Sequence, residues 1–168
     1  MSTDIDAIDR TDGTARRSRT DTAVTGAGAG RFERVLVVAT DDPAGRAAVS
    51  TAVGLAATHG ATVDALYVVD TTEGWDLVVE RRERTGEEVV EAAAEAGAAA
   101  GVDVEKWFRY GAPHQEAIDF AAAHDADLVV VGSARRTGID RLLHPDPVPG
   151  RVRRGVDAPV MVVGPDDG

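Results

Sequence analysis

Four short runs of apolar residues constrain this chain more than anything else in it. They are Val35-Leu36-Val37-Val38-Ala39, Ala65-Leu66-Tyr67-Val68-Val69, Leu128-Val129-Val130-Val131 and Val160-Met161-Val162-Val163. A strand with one wet face alternates polar and apolar residues. These runs do not, so each reads as a strand covered on both faces, the condition of a parallel sheet packed between helices.

The segments between the runs carry helical signals. Thr40-Asp41-Asp42-Pro43 turns the chain after the first run, with Asp42 suited to cap a helix and Pro43 to its first position, where a missing N–H costs nothing. Val49, Ala52, Val53 and Ala56 then recur at helical spacing until Gly60 stops the helix after His59. A long helix is expected from about residue 77 to 100, with Glu80 and Arg84 one turn apart in the favourable order and Gly101 closing it. Val102, Val104 and Trp107 mark a further strand. Pro113 opens a helix with Ala117, Ile118, Ala121 and Ala122 on its inner stripe, and a polar, proline-rich stretch runs to Gly150 with a short helix around residues 151–154. Strands alternating with helices predict an α/β fold, an open five-stranded parallel sheet with helices on both faces, Rossmann-like in layout.

With 168 residues the chain has the length of one ordinary domain. Residues 1–30 are polar and glycine-rich without apolar periodicity and are expected to form a disordered tail, leaving 31–168 as the domain. Arg16-Arg17 is followed by nothing apolar enough for a signal peptide. Gly26, Gly28 and Gly30 precede the first strand, whereas a dinucleotide fingerprint follows one. The absence of cysteine excludes thiolate chemistry and disulfides. No run approaches the roughly 18–20 apolar residues of a membrane span, so a soluble protein is expected, and the lack of cysteine fits a reducing cytoplasm. The net charge of −11, from 29 acidic and 18 basic side chains, opposes both nucleic acid and anionic membranes as partners. Lys106 is the sole lysine, and a carboxylate-rich, lysine-poor surface reads as adaptation to high salt, which screens such repulsion.

In an open parallel sheet ligands gather beyond the carboxyl ends of the strands, where strand order reverses. The groups arriving there are Thr40, Asp41 and Asp42 after the first strand, Asp70 after the second, and Gly132 and Ser133 after the fourth. His59, His114, His124 and His144 stand at no metal-ligand spacing, so no metal is expected. Ser133 lacks the Gly-x-Ser-x-Gly setting of a nucleophile, and no catalytic residue is assigned. A phospho-receiver domain would need an aspartate ending the third strand and a lysine ending the last, and neither is present. An enzyme acting on adenine nucleotides would want a glycine-rich loop after the first strand, where Thr40-Asp41-Asp42-Pro43 stands instead.

Several of these strings, in this order, resemble the universal stress protein family. Val-Leu-Val-Val-Ala-Thr-Asp from Val35 is similar to that family's first strand, and Leu-Tyr-Val-Val-Asp from Leu66 to its second. Tyr110-Gly111-Ala112-Pro113 with Ile118 resembles the start of its third main helix, Asp127-Leu-Val-Val-Val-Gly-Ser its fourth strand, and Ala158-Pro-Val-Met-Val-Val its last. The resemblance spans residues 34–164. It implies a regulatory, non-enzymatic stress protein that pairs into a homodimer through Val160, Met161, Val162 and Val163, and it places Ala39, Asp41, Val68 and Val131 where relatives flank adenine.

ATP-binding members of that family carry Gly-x-x-Gly-x9-Gly-Ser/Thr after the fourth strand, where glycines let backbone N–H groups reach phosphate. Here Gly132 holds the first position and Arg135 the second, while the closing pair falls on Pro145-Asp146 or Asp146-Pro147. Proline has no N–H to give and Asp146 repels phosphate. Arg135 and Arg136 offer side-chain contacts in part compensation. The resemblance therefore implies a degenerate site, composed of Ala39, Thr40, Asp41, Val68, Val131, Gly132, Ser133, Arg135 and Arg136, that holds ATP or AMP weakly or not at all.

Overall fold

The apolar runs and the third strand assemble into one sheet: β1 (Arg34–Val38), β2 (Thr62–Asp70), β3 (Val104–Gly111), β4 (Leu128–Gly132) and β5 (Val160–Val163). Four helices connect them, α1 (Pro43–His59), α2 (Asp76–Ala100), α3 (Pro113–Ala123) and α4 (Val148–Gly155). This computed structural model describes residues 31–72, 76–134 and 148–165. The expected tail, 1–30, lies outside the described residues, and a compact unit begins at Phe32.

All strand pairs are parallel, in the order β3-β2-β1-β4-β5. The double-faced burial expected of the apolar runs is visible in β1, β2 and β4, whereas β5, at the edge of the sheet, has no buried residue and leaves Met161 and Val162 exposed. Val35, Val37, Val63, Ala65 and Val130 face α1 and α2, joining Ala52, Val53 and Ala93 in one core cluster. Leu36, Val38, Leu66, Val129 and Val131 face α3 and α4, joining Ala117, Phe120 and Val152 in the other. Alternate residues of one strand thus serve two cores, which is why no polar alternation was seen.

Local signals held where local physics decides. The Asp42 side chain accepts the Gly45 N–H at 2.9 Å with Pro43 in the first turn, and Gly60 ends α1 in the left-handed region. Ala122, expected on the inner stripe of α3, is exposed, and Phe120 is buried there instead; two element limits also need correction. The third strand begins at Val104 rather than Val102 and runs to Gly111, because it pairs with β2 along its whole length. The last helix is longer than 151–154 and starts inside the proline-rich stretch: Pro149 sits in its first turn, where no N–H is needed.

One buried polar group escaped the apolar reading of β2. Asp64 is fully buried, and Arg34 grips it with Nε at 2.6 Å and Nη2 at 3.0 Å. Trp107 Nε1 donates to the same carboxylate at 2.9 Å, and Arg34 Nη2 reaches Glu105 at 3.3 Å. β1, β2 and β3 are therefore laced together near their amino ends by one charge-assisted network.

Candidate functional site

Strand order reverses between β1 and β4, since β1 leads to β2 on one side while β4 and β5 lie on the other. A cavity of about 550 Å³ elsewhere in the molecule is larger, but the opening at this reversal point has the topology of a ligand crevice. It measures about 240 Å³. Thr40, Val131, Gly132 and Ser133 line it, so four of the expected residues meet in one place.

The remaining expected residues stand elsewhere. Ala39 is buried and its N–H donates to Leu66 O at 2.8 Å, so it ties β1 to β2. Val68 is half-buried and packs into the core beneath α3 and α4. Asp41 is turned the other way, toward the space between α1 and α2, with its carboxylate 3.5 Å from Arg46 and largely exposed. Arg135, Arg136 and the Pro145-Asp146-Pro147 stretch lie outside the described residues. Sequence reasoning missed Pro113, Val148 and Pro149, which close the cavity from the helix side. A proline in the first turn of the last helix is the sequence signal for the α4 pair.

The donors around the cavity are mostly committed. Asp42 takes the Gly45 N–H at the start of α1, and its carboxylate sits where a phosphate would use that helix end. Ser133 N–H, the first donor after Gly132, binds Val163 O at 2.7 Å. α3 differs: it starts with Pro113 at the cavity wall, and Ala112 offers no side-chain cap to its first turn. Gly132 has a packing duty as well. A Cβ there would lie 2.6 Å from the Ala44 carbonyl carbon and 2.8 Å from Gly45 N, so the first turn of α1 rests against β4 backbone to backbone.

Near the carboxyl end of β2, burial pushes the Tyr67 phenol above its ordinary value, with Arg82 opposing the rise and Asp41 adding to it. The neutral phenol is the native form. Stability linked to it is full below the ordinary tyrosine range and is lost as pH rises through the folded value. Among the described residues no group of three or more His, Asp or Glu could hold a metal ion, and no helix is long and apolar enough to cross a membrane.

An open parallel sheet with helices on both faces and a crevice at the reversal point defines an α/β protein of the doubly wound class. Residues 31–164 match the model of the universal stress protein family, and the chain belongs to that family. It is 32% identical over 120 residues to universal stress protein MJ0531 of Methanocaldococcus jannaschii, an overlap covering 67% of this chain and 70% of that protein. Among solved structures it resembles a universal stress protein in complex with cAMP, with a TM-score of 0.62 and 25% identity, covering 80% of this chain and 99% of the other. It also shares the fold of the universal stress protein from Archaeoglobus fulgidus in complex with dAMP, with a TM-score of 0.59 and 18% identity over 79% of this chain and 97% of that one.

Proposed function

We propose that this chain is a non-catalytic stress-response regulator that takes an adenine mononucleotide weakly in the cavity between β1 and β4 and does not hydrolyse ATP. The observation that carries this reading is the state of the donors. Gly45 N–H and Ser133 N–H, the two that a phosphate chain would recruit first, are bound to Asp42 and Val163. The amino ends of α3 and α4 also reach the cavity, but they bring Pro113 and Pro149, which have no N–H to give, and Glu116 places a carboxylate in the first turn of α3. The cavity volume of about 240 Å³ points the same way. The relatives in complex with cAMP and dAMP, both adenine mononucleotides, support the ligand class.

Two lost charge-assisted donors are worth roughly 3–6 kcal/mol, a hundredfold or more in affinity. Calorimetry should therefore find AMP binding in the millimolar range, ATP binding no tighter, and no phosphate released on incubation with ATP. Micromolar ATP binding that Arg135→Ala abolishes would show instead that arginines have rebuilt the phosphate site.

The regulator is proposed to work as a cytoplasmic homodimer, with a surface adapted to salt. β5 is an edge strand whose Met161 and Val162 are exposed, and an apolar edge of this kind invites pairing. Light scattering at micromolar concentration and high salt should give the mass of two chains. Val162→Pro, which removes an edge N–H, should halve it. A wild-type mass of one chain rules the dimer out.

A further inference from the structure

α1 and α2 lie side by side on one face of the sheet, and the space between them is not filled. α1 contributes Val49, Val53 and Gly54 to its walls and α2 contributes Ala92, Ala96 and Ala100. The trough measures about 550 Å³, more than twice the cavity between β1 and β4 and well inside the ~300–1,000 Å³ range of small-molecule sites. It exists because the side chains are small, and it is not closed by a shift of either helix. A Cβ on Gly86 would lie 2.5 Å from Tyr67 Cδ1 and 2.7 Å from Phe108 Cε1, and one on Gly97 would press on Val104, so α2 is already seated at contact distance on β2 and β3. α1 is seated as closely against β4 at Gly132. Two helices pinned to different strands leave a preformed trough between them.

The polarity of the trough is graded along its length. Thr40, Asp41, Arg46, Ser50 and Glu88 belong to the end near the carboxyl edge of the sheet, where α1 begins. From Arg46 to Gly54 along α1 is about 12 Å, and beyond the polar end the walls are alanine, valine and glycine. Arg46 already faces Asp41 at 3.5 Å. Glu88 has no ion-pair partner among the described residues, so the polar end carries net negative charge on a protein whose net charge is −11.

We propose that this trough binds a cationic amphiphile, with an alkyl chain along Ala92, Ala96 and Ala100 and an ammonium head at Asp41 and Glu88. The trough shares only Thr40 with the lining of the nucleotide cavity, and the proposal does not depend on the nucleotide reading. The charge at the polar end selects ammonium over carboxylate heads, and the narrow alanine walls select an unbranched chain.

Decyltrimethylammonium, decanol and decanoate, titrated below their micelle concentrations into the full-length chain and followed by calorimetry, test this. Affinity should fall in that order. Glu88→Gln should weaken the ammonium by about threefold, the size of one exposed ion pair, and leave decanol unchanged. Ala96→Leu, which fills the trough, should abolish binding of all three while the circular dichroism spectrum is retained. Ala92→Leu, at an exposed wall position, provides the same obstruction should Ala96→Leu not fold. Decanoate binding as tightly as the ammonium, binding that survives an obstructing leucine in a folded variant, or displacement of the ammonium by AMP would each overturn the proposal.

Discussion

Arg34→Ala is expected to destabilise the fold by about 3–5 kcal/mol, the cost of leaving a buried carboxylate without its cation. Asp64 has no access to water, and Arg34 supplies two of the three hydrogen bonds that hold it. Without the guanidinium only Trp107 Nε1 remains. The loss should fall toward the lower end of that range, because the Arg34 side chain is 33% exposed and water can reach the vacated space. Asp64→Leu should be milder in the Arg34→Met background than in the wild type, since removing both charges removes the desolvation cost along with the attraction. Urea unfolding of the two single variants and the double variant gives the coupling directly. A loss below about 1 kcal/mol for Arg34→Ala, the worth of a surface ion pair, would mean that the network contributes no more than an exposed contact.

Gly132→Ala is expected to cost about 1–3 kcal/mol in protein free of any nucleotide. Its Cβ would meet the Ala44 carbonyl at 2.6 and 2.7 Å and Gly45 N at 2.8 Å, all backbone atoms of a helix end that cannot rotate aside. Gly45→Ala should be at least as damaging, because its Cβ would press on both the hydroxyl and the carbonyl of Thr40. Gly54→Ala is the contrasting case. It stands in the interior of α1 with nothing within 4 Å of the added carbon, so relief of backbone entropy should raise stability by about 0.5–1 kcal/mol. Thermal melts of the three variants separate the two effects. An unchanged midpoint for Gly132→Ala would show that this glycine is kept for a ligand rather than for the seating of α1.

Most of the scaffold was legible because its signals are local. The Asp42-Pro43 start and Gly60 stop of α1 depend on a few consecutive residues, and so do the apolar runs that became β1, β4 and β5. The candidate site was legible only as a location. Topology brings Thr40 and Val131 to one crevice, but Asp41 is turned toward α1 and α2 by the path of the β1–α1 turn, Ala39 is bound to β2, and Val68, on the same face as Val131, packs into the core instead of lining the crevice. The closing residues Pro113, Val148 and Pro149 come from helices on the far side of the sheet, and no spacing rule ties them to β1 or β4.

The sequence by itself determined the alternation of strand and helix, the double-faced burial of β1 and β4, and the family, since each follows from residue type and short-range order. Tertiary structure alone decided which groups meet. Asp64 became a partner of Arg34 and Trp107 because parallel pairing sets it beside Leu36 and Glu105, two residues from each of them. Gly132 became a seat for α1 because β4 lies next to β1, and the trough between α1 and α2 opened because each helix is pinned to different strands. Pairing register and helix seating sum weak contacts over distant parts of the chain, so no local stretch of sequence carries them.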